Sequence, residues 1–115
     1  MDDDPFVLEA LRRSLRVRGI RTKTYASAQE FLAALADGLP KCLILDLQMP
    51  GMSGLGLLQH LKQGGTRIPT IIITAHSDAA VRERSESLGA VAFLSKPLRN
   101  SSLLAAVESA MWTNP

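Results

Sequence analysis

The sequence lacks the features that mark several large classes of protein. It has a single cysteine, Cys42, so it can form neither an internal disulfide nor a thiolate zinc cluster. No run approaches the ~20 apolar residues of a membrane-spanning helix, and no signal peptide is visible. Aromatic residues make up only 4% of the chain and form no stacking platform for single-stranded nucleic acid. We therefore expect a cytoplasmic globular protein.

The chain also lacks a large excess of charge of one sign. It has 13 basic and 11 acidic residues in a total of 115, and 46% of its residues are hydrophobic. This composition is typical of one small domain with a single core. Basic residues concentrate in "LRRSLRVRGIRTK", which could contact nucleic acid. Such a run is more often the solvated face of a helix, and we interpret it that way.

Segments with helical periodicity alternate with short apolar runs. A cap at Asp4 and a capping box at 27–30 begin two helices. Short apolar runs are typical of strands buried on both faces of a parallel sheet, and the polar alternation of 21–25 is typical of an edge strand. The predicted architecture is a doubly wound α/β domain. The buried strands are predicted at 42–46, 70–74 and 91–94, and the later helices at 53–62, 78–88 and 101–111.

Three polar side chains follow the predicted buried strands. Asp46 and Thr74 each end a strand, and Lys96 lies two residues past the third. Ligands bind beyond the carboxyl ends of such strands, so these side chains should converge. Asp2 and Asp3 could complete an acidic pocket, whose repulsion a divalent cation or partial protonation would relieve, and oxygen ligands favour Mg²⁺. An aspartate beside Mg²⁺ can attack phosphorus, while an ammonium and a hydroxyl share the phosphoryl charge.

Four motifs together resemble one known family. "DDDP", "LILDLQMPGMSG", "IIITAHSD" and "GAVAFLSKP" closely resemble, in this order, the receiver domain of two-component response regulators. The chain is most similar to the transcription-regulator branch typified by the nitrogen-fixation regulators, and the resemblance covers nearly its whole length. It implies a flavodoxin-like fold and a signalling function without enzymatic turnover.

The resemblance also implies a role for each residue of the acidic pocket. Asp46 would accept a phosphoryl group from a phosphohistidine of a sensor histidine kinase or phosphotransfer protein. Asp3 would bind Mg²⁺ directly and Asp2 mainly through water, and Asp46 and the backbone carbonyl of Gln48 would be further ligands. Gln48 and His76 would tune the lifetime of the phosphoryl group.

Other residues would transmit the signal. Thr74 would hydrogen-bond the phosphoryl group and Lys96 would pair with its charge. Phe93 would be the aromatic switch that turns inward with Thr74, and the Lys96–Pro97 peptide bond would be cis. The face built from 78–88, 91–94 and 101–111 would then pair with a second copy, and DNA would be reached only through an output domain outside these residues.

One departure from the family concerns the first strand. In relatives an apolar strand precedes the acidic pair, whereas here Met1 stands directly before Asp2. We therefore expect a receiver domain over 1–115 that is truncated at its amino end, with its first strand missing. A late start assignment, a truncated chain or a strand supplied by another chain would each explain this. Without the strand, Asp2 and Asp3 should lie on a frayed terminus.

Three alternative functions remain. A haloacid-dehalogenase-type phosphatase would need a second Asp where Gln48 stands, and a flavin carrier would need a phosphate-binding loop where "DDDP" stands. The third is a pseudo-receiver that acts only as a protein-interaction module. The chain keeps the acidic pair, Asp46 and Lys96, which argues against it, but the missing strand keeps it open.

Overall fold

From residue 43 onward, strands and helices alternate along the chain as the sequence predicts. The computed structural model describes residues 1–2, 4–48, 53–75 and 78–112. None of the helices in this part of the chain is both long enough and apolar enough to cross a bilayer. The elements are α1 (Pro5–Val17), α2 (Ala28–Ala34) with a 3-10 turn (Leu35–Asp37), β1 (Leu43–Asp46), α3 (Gly54–Gln63), β2 (Thr70–Thr74), α4 (Ala79–Ser87), β3 (Ala90–Ser95) and α5 (Asn100–Trp112).

Side-chain caps fix where four of the helices begin. Asp4 accepts a hydrogen bond from the Phe6 N–H at the start of α1. Ser53 and Asp78 cap α3 and α4 in the same way. One half of the predicted capping box at 27–30 is confirmed, since Ser27 accepts from the Glu30 N–H; the Glu30 carboxylate accepts from the N–H of Ala26, the residue before the cap. These polar caps satisfy amides that have no partner within their helices.

The three strands form a parallel sheet in the order β1-β2-β3. Every residue of β2 is buried, which explains its continuous apolar sequence "TIIIT". The odd-numbered residues Ile71 and Ile73 face α1 and α5, whereas Ile72 faces the cluster that contains residues of α2 and α3. Helices thus cover both faces of the sheet, and the predicted doubly wound α/β class is confirmed.

The amino-terminal edge of the sheet differs from the predictions in two ways. The predicted strand at 21–25 is wrong, because this segment has no strand assignment. The Asp2 N–H donates to the Tyr25 carbonyl at the end of this segment, at 3.2 Å. The predicted fraying is also wrong for Asp2, which is fully buried. The Met1 amino group donates to the Ile44 carbonyl, and the Met1 carbonyl accepts from the Asp46 N–H at 2.9 Å.

Candidate functional site

The carboxyl end of the sheet brings together the side chains that follow its strands. Asp46 at the end of β1 and Thr74 at the end of β2 are both buried. Lys96 follows directly after β3, and its backbone N–H donates to the Thr74 carbonyl at 2.8 Å. This bond ties the loop after β3 to the end of β2, so the lysine side chain is held near the ends of both neighbouring strands.

Two carboxylates share the ammonium of Lys96. Its Nζ lies 2.8 Å from Asp2 Oδ2 and 3.5 Å from Asp46 Oδ2. The second oxygen of each carboxylate accepts from a backbone amide, Asp2 Oδ1 from Asp4 N–H at 3.0 Å and Asp46 Oδ1 from Gln48 N–H at 3.2 Å. Each carboxylate is therefore fixed on one side by the main chain and faces the ammonium on the other.

Burial and charge set the protonation of this cluster. Burial raises the pKa of Asp46, and the nearby Asp2 carboxylate adds to this increase, while the Gln48 N–H and Lys96 oppose it. Burial lowers the pKa of Lys96, but its contacts with Asp2 and Asp46 outweigh this and leave the pKa raised. Burial also lowers the pKa of the Met1 amino group to about 6. With both carboxylates ionised, the Lys96 ammonium neutralises only one of their two negative charges, so the cluster can accept a further positive charge.

The donor groups at this cluster fit a hard divalent cation. Asp2 and Asp46 provide carboxylate oxygens, which Mg²⁺ prefers together with water. Within the described ranges, no group of three acidic, histidine or cysteine side chains is gathered tightly enough to hold a metal. Asp3, the predicted direct ligand, lies outside the described residues. The two carboxylates fit Mg²⁺, and the full ligand set, including the Gln48 carbonyl, stays a prediction.

The residues predicted to transmit the signal lie on β3 and just beyond it. The Lys96–Pro97 bond is cis, as predicted. Phe93 is partly buried in β3, and the Arg82 guanidinium of α4 lies 5.9 Å from the centre of its ring. No local pattern in the sequence predicts this cation–π contact, because Arg82 and Phe93 belong to different elements. His76 lies outside the described residues, and its role stays a prediction.

Gly54 contributes to the site although we did not single it out from the sequence. A Cβ atom there would lie 2.7 Å from both the Asp46 carbonyl oxygen and the Leu47 Cα. The first turn of α3 therefore packs directly against the main chain that carries Asp46. The sequence feature that could have indicated this close packing is a glycine at the first helical position, directly after the cap Ser53.

Comparison with known proteins identifies the family. The family model described as the response regulator receiver domain matches residues 1–108. The chain belongs to this family. The predicted resemblance is thereby confirmed, and the protein is a receiver domain of the two-component signalling systems.

Relatives of this receiver domain include regulators of transcription. It is 40% identical over 115 residues to the response regulator protein TmoT of Ectopseudomonas mendocina, covering 100% of this chain and 52% of TmoT. It is also 40% identical over 111 residues to the DNA-binding transcriptional regulator NtrC of Salmonella typhimurium, covering 96% of this chain and 24% of NtrC. The chain thus spans about half the length of TmoT and about a quarter of NtrC.

Solved receiver structures share the fold. A response regulator receiver protein from Burkholderia phymatum superposes with a TM-score of 0.85 at 42% identity, covering 97% of this chain and 91% of that one. FixJ-N superposes with a TM-score of 0.88 at 36% identity, covering 97% and 90%. The predicted flavodoxin-like receiver fold is confirmed.

Proposed function

We propose that this receiver domain accepts a phosphoryl group on Asp46 from a phosphohistidine of a sensor histidine kinase or phosphotransfer protein. The observation that supports this is the shared position of Asp46, Asp2 and Lys96, with both carboxylates within 3.5 Å of one ammonium. Asp46 is fixed by the Gln48 N–H, so its carboxylate is oriented before a donor arrives. Such pre-orientation lowers the entropic cost of an in-line transfer.

The transfer forms one bond and breaks another. An oxygen of the Asp46 carboxylate forms the O–P bond while the N–P bond of the phosphohistidine breaks. The electron pair of the N–P bond stays on the imidazole nitrogen, which takes up a proton. Lys96 is close enough to move from Asp46 to a phosphoryl oxygen, and the Thr74 hydroxyl would donate to another. Both groups act on charge that increases at the phosphoryl oxygens.

The reaction depends on Mg²⁺, for which Asp2, Asp3, Asp46 and the Gln48 carbonyl would be the protein ligands. When bound, the ion neutralises the carboxylates and the phosphoryl oxygens and orients them. To serve as a ligand through Oδ2, Asp2 would have to give up its present 2.8 Å ion pair with Lys96.

Phosphorylation then biases a two-state element. Thr74 moves toward the phosphoryl group, and Phe93 turns inward and leaves Arg82. The face formed by α4, β3 and α5 changes shape and pairs with a second copy. Gln48 and His76 set how long the phosphoryl group survives. In the cytoplasm this signal would reach DNA only through an output domain outside these residues.

A second candidate function is a pseudo-receiver that serves only as a protein-interaction module. The direct ion pair between Asp2 and Lys96 favours it, because a carboxylate needed for the metal is already neutralised. In this case the cluster would stabilise the fold without accepting a phosphoryl group.

Mass spectrometry after incubation with acetyl phosphate and Mg²⁺ tests the proposal. We expect a gain of one phosphoryl mass that is lost in Asp46→Asn and in the absence of Mg²⁺. Asp37→Asn, which changes an exposed carboxylate on the 3-10 turn, is the matched control and should be phosphorylated normally. A folded protein that gains no mass would overturn the proposal in favour of the pseudo-receiver.

A further inference from the structure

The positive charge of the chain is concentrated in one short stretch. Residues 10–29 contain six basic residues and no acidic one, whereas the rest of the chain contains seven basic and 11 acidic residues. Five of the six are arginines, namely Arg12, Arg13, Arg16, Arg18 and Arg21. The stretch covers the second half of α1 and the segment that follows it. The proposed phosphoacceptor chemistry uses none of these residues.

The end of α1 folds this stretch back on itself. Gly19 has a positive φ of 73°, a conformation that glycine adopts without steric cost. Its N–H donates to the Arg16 carbonyl at 2.9 Å, and the Ile20 N–H donates to the Leu15 carbonyl at 3.0 Å. These two bonds form a Schellman turn, which ends the helix. Beyond the turn, the chain runs back beside α1.

Three arginines meet at this turn. Arg12 and Arg16 are four positions apart, so they lie on one side of α1. Arg21 joins them from the returning segment, and the three residues line one shallow depression of about 390 Å³. All three are exposed. Arg12, Arg16 and Arg21 are called the basic face below.

Little negative charge within the protein opposes the basic face. The carboxylate of Glu9 is shared, since its oxygens lie 3.1 Å from Arg12 Nη2 and 3.4 Å from Arg13 Nε. Within the described ranges, no carboxylate forms an ion pair with Arg16 or Arg21. Ion pairs between exposed side chains contribute little stability, so Arg12 can exchange Glu9 for another anion. The basic face therefore keeps most of its charge for a partner.

The residue types of the basic face indicate a phosphate backbone as its partner. A guanidinium group can bind two oxygens of a phosphate at once, which makes arginine well suited to such contacts. Residues 7–24 contain no aromatic side chain on which the bases of a single strand could stack. Tyr25 packs against Phe31 instead, with ring centres 5.5 Å apart. Contacts to the backbone of a double helix need no stacking.

The basic face lacks the apolar centre that protein partners require. Protein interfaces bury an apolar core inside a polar rim. The large exposed apolar side chains of α1 are Phe6 and Val17, which lie about 80–140° around the helix from Arg12 and Arg16. A protein that covered Phe6 and Val17 would therefore approach α1 from another side.

We propose that Arg12, Arg16 and Arg21 bind the phosphate backbone of duplex DNA without reading its sequence. The partner is DNA because the output domain of the proposed function would bring the receiver beside it, and in this respect alone the inference rests on the proposed function. Backbone contacts carry no sequence information, so the signal itself would still reach DNA through that output domain. The association depends on counterion release and is therefore weak and salt-dependent.

Fluorescence anisotropy of the 115-residue chain with a labelled DNA duplex of mixed sequence tests the proposal. We expect a dissociation constant of about 10–100 μM at about 50 mM NaCl. A plot of the logarithm of the association constant against the logarithm of salt concentration should have a slope of about −3, for three phosphate contacts. Affinity should thus fall about 40-fold when NaCl is raised about fourfold. No saturable binding at the lower salt concentration would overturn the proposal.

The double variant Arg16→Gln/Arg21→Gln removes two of the three contacts. The slope should change to about −1, and the dissociation constant at about 50 mM NaCl should rise at least about 10-fold. Arg84→Gln/Arg99→Gln removes the same charge from exposed positions outside the basic face and should bind within about twofold of the wild type. Equal weakening by the two double variants would show that net charge alone attracts DNA, and would overturn the proposal.

The variant Arg16→Lys/Arg21→Lys separates charge from packing. Because the slope reports the number of charges, it should return to about −3. Affinity should recover to within about threefold of the wild type, since an ammonium binds phosphate without the two parallel bonds of a guanidinium. If the lysines restore neither quantity in a protein with the wild-type unfolding midpoint, the proposal is wrong.

Competitors identify the kind of polyanion. Poly-L-glutamate of the same total charge has a lower charge density than a duplex and should displace DNA at least about 10-fold less well. Duplex RNA of the same sequence should bind no more tightly than DNA. Displacement by poly-L-glutamate at equal concentration would assign the basic face to an acidic protein, and tighter binding of RNA would assign it to RNA. Either result would overturn the proposal.

Failure of this inference and failure of the proposed function are distinguishable. Asp46→Asn should lose the phosphoryl mass gain and bind DNA as the wild type does, because Asp46 is not part of the basic face. Arg16→Gln/Arg21→Gln should lose DNA binding and still gain one phosphoryl mass from acetyl phosphate. Loss of DNA binding in Asp46→Asn would place the contact at the acidic site and overturn the inference.

Discussion

The carboxyl end of β1 and its outer edge differ in how completely their interactions are formed. At its carboxyl end, Asp46 has a main-chain donor, an ammonium partner and a buried position. Along its free edge, the same strand faces a groove of about 590 Å³. Met1 and Asp2 connect the two regions, since they pair with the edge and contribute a carboxylate to the site. Met1 and Asp2 are thus enough to complete a charged cluster at the carboxyl end of β1, while a groove remains beside the rest of the strand.

The largest expected effect is the difference in lost free energy of unfolding between a side chain of the buried core and one that lines the groove. Ile72→Ala removes a fully buried side chain from the middle of β2 and should lower the free energy of unfolding by about 2–5 kcal/mol. Leu8→Ala removes a half-buried side chain that lines the groove, and should cost less than about 1 kcal/mol because little surrounding packing is lost. Urea unfolding measures both values. Similar losses would mean that the groove is packed as tightly as the core.

The next effect tests the charge balance of the site. Lys96→Met leaves the Asp2 and Asp46 carboxylates without their shared ammonium. Removing one partner of a buried ion pair costs several kcal/mol, but the Lys96 side chain is 23% exposed, so we expect a loss of about 2 kcal/mol. Urea unfolding at pH 7 measures it, with the exposed Lys41→Met as the control. An unchanged stability would show that solvent screens the cluster.

The smallest effect concerns the ionisation of Asp46. Its pKa in the folded state is raised above the ordinary value of 3.8, so the folded protein holds its proton more tightly than the unfolded chain does. Stability should therefore fall as pH rises from the ordinary pKa through the raised one. Asp46→Asn removes this loss and should raise the unfolding midpoint at pH 7, by less than Lys96→Met lowers it.

Calorimetry from pH 4 to 8 measures the effect of Asp46→Asn. The wild-type midpoint should fall relative to that of the variant as Asp46 ionises, and the two should converge at the acidic end. A wild-type protein that gains stability relative to Asp46→Asn with rising pH would contradict the raised pKa.

Much of the fold follows from local patterns. The helices α3, α4 and α5 begin and end one residue from the predicted positions, because polar caps and apolar periodicity act within a few residues. β1 and β2 were predictable since continuous apolar runs suit strands covered on both faces. The segment 21–25 was mispredicted because strand formation requires a hydrogen-bonded neighbour, which its own residues do not specify.

The sequence by itself determined which residues could form the site, since Asp46, Thr74 and Lys96 each follow a recognisable apolar run. Tertiary structure alone decided that Asp2 is buried and paired with Lys96, 94 positions away. It also decided that Gly54 packs against the main chain of Asp46 and that a groove borders β1. The reason is physical: caps and periodicity depend on neighbouring residues, whereas ion pairs, close packing and cavities depend on where distant segments meet.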